Sequence, residues 1–259
     1  MSSINVVSIC LVSEKQKVNV GGDVQSSLNG EYTFDLSKLF NDAWALTQSY
    51  KWIVIQMALI TIIIAFLIVI VMLQMMGIDN IQQIPQRTQL SIDLVVTGLL
   101  SPFIAALMLS AVKHSTNGHS RISDLTSLIP KTLSLAITSL MIALIVNLGL
   151  LVFILPGLYL SIACGFAILL VAEKNMPPIQ SILLSIRMVN AYWLDFVKIN
   201  LVFVLLFVLV VLTFGIALIW VAPFYYHVKG ILYRDLFGVS TDIEQNPQGT
   251  NNDQSTFEA

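Results

Sequence analysis

The stretch VFILPGLYLSIACGF, residues Val152 to Phe166, decides how this chain folds. A Pro-Gly pair sits inside it, and no charged residue occurs between Lys131 and Glu173. Drawn as one helix, residues 132–172 would be roughly 60 Å long, about twice the hydrocarbon thickness of a bilayer. Pro156 lacks an amide donor and disfavours helical geometry at Leu155, while Gly157 tolerates a turn. The reading is a hairpin of two apolar helices, 132–155 and 157–172, with Pro156 and Gly157 as its turn. Ser139, Ala143 and Asn147 recur every fourth residue, as do Gly157, Ser161 and Gly165. Small residues on one stripe let helix backbones approach, and an asparagine can hydrogen-bond across the contact. Asn147, Gly157, Ser161 and Gly165 are therefore expected at helix packing, with a substrate contact as the alternative.

Composition agrees with membrane burial. Of 259 residues, 56% are apolar and 11% charged, against about half and a quarter in a soluble domain. Long segments have no charge with which to face water, so the class is an integral membrane protein. The net charge of -2 and the absence of a basic cluster interleaved with aromatics set nucleic acid aside. Cys10 and Cys164 lie far apart, one in a polar tail and one in an apolar run, and read as neither a disulfide nor metal ligands. The start, MSSINVVSICLVSEKQK, lacks a basic n-region and is not a cleavable signal.

Outward from the opening stretch, further apolar runs occupy 52–76, 92–112, 194–213 and 216–236. The run at 52–76, at about 37 Å, crosses a bilayer with some tilt. Gly77 to Leu90 reads as a polar loop. The region 194–236 has a turn signal at Phe214-Gly215 and a proline at 223; two spans fit it, and one span with a re-entrant end is the competitor. The expected fold is thus all-α, a membrane domain over 33–237 with six transmembrane helices as three hairpins. Polar segments at 1–32 and 238–259 read as disordered tails. With the N-terminus inside, every Lys and Arg except Arg87 falls on or near one side, which by the positive-inside rule makes both termini cytoplasmic. Each hairpin is preceded by a short amphipathic segment: FDLSKLFNDAWALTQSYKW, RISDLTSLIPK and PPIQSILLSIRMVNAYWLDFVK. Spacing near i, i+3, i+4, i+7 suits interfacial helices, and the three copies suggest a repeat.

Residues for chemistry are few. Intramembrane carboxylate pairs, nucleophile elbows, phosphate-binding glycine loops and metal-ligand spacings are all missing from the sequence. No enzyme activity and no cofactor or metal is expected. His114 and His119, in KHSTNGHSR, read as a solvated basic loop. Ionisable groups at membrane depth cost free energy unless paired or hydrated. The candidates are His227 and Lys229, beside Tyr225 and Tyr226, together with Asn147. His227 and Lys229 either anchor the helix end at the interface or, with Asn147, line a polar cavity.

The segment ILPGLYLSIACGFAILLVAEKNMPPIQSILLSIRMVNAYW, with the ending FGIALIWVAPFYYHVKGILYRDLFG, resembles bacterial YciC-type inner-membrane proteins. It is also similar to the membrane module ahead of some glycerophosphodiester phosphodiesterase domains. The resemblance covers roughly residues 34–238. It implies a six-helix bundle in the bacterial inner membrane, with Pro156, Gly157, Tyr159, Glu173, Ser185, Arg187 and Trp193 as architectural positions. The sequence then supports a non-enzymatic accessory or scaffold protein, in contact with membrane lipids and with another membrane protein or a second copy. The alternative is a small-molecule or lipid permease or channel, with a cavity between proline-kinked helices at Pro102, Pro156 and Pro223.

Overall fold

The computed structural model describes residues 17–77 and 86–242. Most of the loop expected after Gly77, the tail segments 1–16 and 243–259, and the side chain of Arg87 lie outside the described residues.

A short strand β1 (Lys17–Val20) and helix α1 (Val24–Leu28) lead into α2 (Leu36–Met75). Asp35 caps α2 by accepting a hydrogen bond from the Lys38 amide at 3.0 Å. With no glycine or proline from 36 to 75, nothing interrupts it. The amphipathic lead and the first apolar run are therefore one continuous helix of 40 residues and not a separate interfacial helix and span. Next comes α3 (Gln86–Ser115), with Pro102 inside. Two 3-10 turns, Ile122–Thr126 and Ile129–Lys131, stand where the second amphipathic helix was expected; Pro130 blocks a longer helix.

The hairpin of the opening stretch is present, but its turn lies earlier than Pro156-Gly157. Helix α4 (Thr132–Val152) ends at Phe153, which is extended (φ -158°, ψ 154°), and α5 (Ile154–Ala163) begins at once. Pro156 and Gly157 fall in the first turn of α5, where a missing amide costs nothing. The chain breaks again at Cys164–Phe166 before α6 (Ala167–Lys174). Asn175, in left-handed conformation (φ 53°), stops α6. Pro178 then starts α7 (Pro178–Ala191), followed by α8 (Trp193–Leu212), α9 (Leu218–Phe237) and strand β2 (Val239–Asp242).

The fold is mostly helical, and five helical stretches are long and apolar enough to cross a membrane: Leu36–Met75, Thr88–Ser115, Ile122–Val152, Ile154–Lys174 and Trp193–Leu212. This is a membrane protein. Helix α9 is not among the five, because Lys229, Arg234 and Asp235 crowd its second half. It packs instead inside the bundle, with Phe224, Val228, Ile231, Leu232, Tyr233 and Leu236 buried. Gly230 lets it touch α3: a Cβ there would stand 2.6 Å from the Ala111 carbonyl. By contrast Leu151, Phe153, Ile154 and Leu155 at the α4–α5 tip, and Leu205, Phe207 and Leu212 of α8, are exposed, as lipid-facing side chains are.

The first and last described segments are built into the fold. β1 pairs antiparallel with β2, with Lys17 opposite Asp242 and Val20 opposite Val239. The Gly22 amide donates to the Arg234 carbonyl at 3.1 Å, and the Tyr192 hydroxyl donates to the Ser27 carbonyl at 2.6 Å. Val24, Leu28, Tyr32 and Phe34 pack on the main core. The expected disordered tails are corrected for residues 17–32 and 238–242: the strand pairing and the side chains of Val24, Leu28, Tyr32 and Val239 dock them. The pairing holds residues 17–20 against 239–242. One further contact bears on the last hairpin. The Lys51 ammonium lies 5.9 Å from the centre of the Trp220 ring, so the start of α9 stands beside the start of the apolar part of α2.

Candidate functional site

Three helices bring polar side chains to one buried point. Thr47 of α2, His114 of α3 and His227 of α9 are all fully buried. The Thr47 hydroxyl donates to the Ala43 carbonyl at 2.7 Å, so its oxygen accepts from His227 Nδ1–H at 3.0 Å. The other ring nitrogen, His227 Nε2, must then accept from His114 Nδ1–H at 3.1 Å. His114 Nε2 in turn accepts from the Ser120 hydroxyl at 2.7 Å. The assignment follows from the one hydrogen the threonine hydroxyl has to give. It leaves both imidazoles neutral and every group in the chain matched. Tyr50 closes the cluster, its ring stacked on His114 at 4.1 Å and 8°. No carboxylate enters these bonds, and no group of three or more potential metal ligands occurs among the described residues. Chemically the cluster is a lock between α2, α3 and α9.

A second buried group repairs the break in the fourth apolar helix. The Ser185 hydroxyl, fully buried on α7, donates to the Ala163 carbonyl at 2.6 Å and accepts from the Phe166 amide at 3.2 Å. One side chain thereby serves both the donor and the acceptor that the interruption at 164–166 leaves loose. On the same α7, Asn190 accepts from the Tyr159 hydroxyl at 2.5 Å, so α7 packs along α5 and is more than a surface helix.

At the end of the bundle that carries the β1–β2 ribbon, Glu173 accepts from the Tyr233 hydroxyl at 2.9 Å and from the Ser240 amide at 3.3 Å. Around it opens a cavity of about 660 Å³ bordered by Lys113, Lys131 and Lys174. Each ammonium already has an anchor: Asp124 at 2.8 Å, the Ala172 carbonyl at 2.8 Å and the Phe237 carbonyl at 2.8 Å. The last two satisfy backbone acceptors at helix ends. Nearby, the Tyr32 hydroxyl donates to Asp235 at 3.3 Å. Burial, with that carboxylate beside it, pushes the Tyr32 hydroxyl above the usual tyrosine range.

The residues singled out from sequence do not converge. Asn147 is exposed and donates to the Ala143 carbonyl of its own helix at 2.8 Å. It makes no interhelical bond, in contrast to the expectation. His227 belongs to the buried lock. Lys229, one helical face away, points to a cleft between α5, α8 and α9. The small-residue stripe is used at one point only. Gly157 is buried where a Cβ would collide with Leu150, and Gly149 opposite has the Gly157 Cα 2.9 Å from where its own Cβ would be. Ser161 is exposed, and Gly165 lies in the break after α5. The shared cavity that a permease reading needs from Asn147, His227 and Lys229 is thus not formed by them. His114, expected in a solvated loop, is fully buried, while His119 is exposed. The missed signal was its place four residues before Gly118, on the last turn of an apolar helix and not beyond it.

The chain matches no family model, no curated protein and no solved structure.

Proposed function

We propose that this chain is a non-enzymatic accessory or scaffold protein of the bacterial cytoplasmic membrane. It crosses six times as three hairpins, with both termini in the cytoplasm. The observation that carries the reading is how the polar groups are used. No buried side-chain nitrogen or oxygen among the described residues lacks a hydrogen-bond partner: Thr61, Ser101, Ser110 and Ser139 bond to carbonyls of their own helices, while His114, His227 and Ser185 join one element to another. Reactive sites keep polar groups free for a ligand; the buried polar groups among the described residues are used up in helix backbones and in a few joints between helices. The exposed tips and flanks, Leu151 to Leu155 and the outer face of α8, offer apolar surface to lipid and to a partner helix.

Six crossings are favoured by the even count that the terminal ribbon demands and by the one-sided distribution of lysine and arginine. The YciC-type resemblance points to the same architecture. The competing even count is four, with α8–α9 as a re-entrant hairpin, which the Lys51–Trp220 contact favours. Cysteine placed at Phe214, which is 98% exposed at the hairpin tip, decides between them. Labelling by a membrane-impermeant maleimide added outside the cell supports six; protection from it supports four. For function, a photo-crosslinking residue at Leu155 or Leu205 in native membranes should trap one protein partner or a second copy of the chain. Crosslinks to lipid alone would overturn the scaffold reading.

A further inference from the structure

Lys229 has no hydrogen bond or ion pair among the described residues; its ammonium lies 4.9 Å from the centre of the Tyr225 ring and makes no other polar contact. An unpaired cation in an apolar helical bundle is expensive, which marks Lys229 as a candidate contact for an anion. The ammonium faces a cleft of about 190 Å³ between α5, α8 and α9. Phe166, Phe196, Phe203 and Leu232 form its apolar walls, and Ser161, Asn200 and Tyr225 are its other polar side chains. The hydroxyl of Ser161 and the amide nitrogen of Asn200 are tied to carbonyls of their own helices, Leu158 at 2.7 Å and Phe196 at 2.8 Å. That leaves the serine oxygen and the asparagine carbonyl turned to no other protein group. Gly165 preserves the space at the ammonium, since a Cβ there would come within 3.2 Å of Lys229 Nζ.

The mouth of the cleft looks onto lipid. Leu158, one turn before Ser161, and Val197 and Val204, one turn either side of Asn200, are exposed apolar residues. A water-borne anion would have to pass this rim, whereas a bilayer lipid lies against it already. We infer that the α5–α8–α9 cleft holds an anionic phospholipid, its headgroup phosphate against the Lys229 ammonium and an acyl chain along Phe196 and Phe203. Charge complementarity selects the phosphate, and the aromatic walls select the chain. The inference is independent of the scaffold reading, which a resident lipid neither requires nor excludes.

The test is native mass spectrometry of the full chain in a neutral detergent, titrated with dioleoyl phosphatidylglycerol, dioleoyl phosphatidylcholine or inorganic phosphate. The wild type should retain phosphatidylglycerol about tenfold more tightly than phosphatidylcholine, whose choline cation offsets the phosphate charge and is repelled by the Lys229 ammonium. Lys229→Met, which keeps the stem and removes the charge, should abolish that preference, and Lys229→Arg should keep it. Ser161→Leu alters an exposed residue that no core contact needs; by filling the mouth, it should lower retention of phosphatidylglycerol while Lys229 is intact. Equal retention of both lipids by the wild type, or an unchanged preference in folded Lys229→Met and Ser161→Leu chains, would overturn the inference. Displacement of the lipid by millimolar inorganic phosphate would overturn the lipid as the source of the anion.

Discussion

His114 and His227 share one hydrogen bond, Nδ1 to Nε2 at 3.1 Å, and through it α3 and α9 are joined at a point neither helix exposes. Both imidazoles are buried, so the bond is protected from water and each ring is the other's necessary partner. His227→Phe removes the acceptor of the His114 N–H and orphans a buried donor, a loss of about 1–3 kcal/mol. The double change His114→Phe with His227→Phe should cost less than the two singles added, because no imidazole is then left unpaired. Unfolding midpoints of the four proteins in detergent give the coupling; strict additivity would show that the rings do not depend on each other.

The bond from Ser185 to Ala163 makes a comparable case for α7. Ser185→Ala leaves both the Ala163 carbonyl and the Phe166 amide without their shared partner, at a cost of about 1–3 kcal/mol. Ser181 is equally buried on the same helix, but its hydroxyl bonds only to the Pro178 carbonyl one turn away. Ser181→Ala should therefore be the milder change. Equal losses in chemical unfolding would mean that the break at 164–166 is held by something other than Ser185.

The hairpin around Val152–Phe166 was legible in the sequence because charge absence and proline chemistry are local. The extended residue at Phe153 was not, because nothing in a phenylalanine announces a turn; packing of Gly149 on Gly157 places it. The continuous α2 was likewise written in the lack of helix breakers, yet the change from amphipathic to apolar at Lys51 suggested a boundary. The His114–His227 lock depends on residues 113 apart in sequence, and no local pattern encodes that. The ribbon of residues 17–20 with 239–242 joins segments more distant still. Polar composition alone had assigned both to disorder.

Gly157 and Pro156 should respond oppositely to substitution. Gly157→Val puts side-chain atoms into Leu150 and should loosen the α4–α5 hairpin by about 1–3 kcal/mol. Pro156→Ala, in the first turn of α5 and exposed, should change stability by about 0.5 kcal/mol or less. If Pro156 formed the turn itself, its replacement would be the damaging one. Thermal unfolding of the two variants in detergent separates the alternatives.

The proposed even number of crossings rests on the ribbon between β1 and β2, where Asn19 stands opposite Ser240. Directly opposed residues on antiparallel strands have Cα atoms about 4.5–5.5 Å apart, within the span a disulfide bridges. In a chain with Cys10 and Cys164 changed to alanine, Asn19→Cys with Ser240→Cys should form an intramolecular disulfide under mild oxidation. It would be read as faster gel migration that reductant reverses. Asn19→Cys paired instead with Phe214→Cys, at the α8–α9 tip, should not cross-link. Failure of the first pair in membranes would separate the two ends of the chain, and with them the argument that both lie on one side of the bilayer.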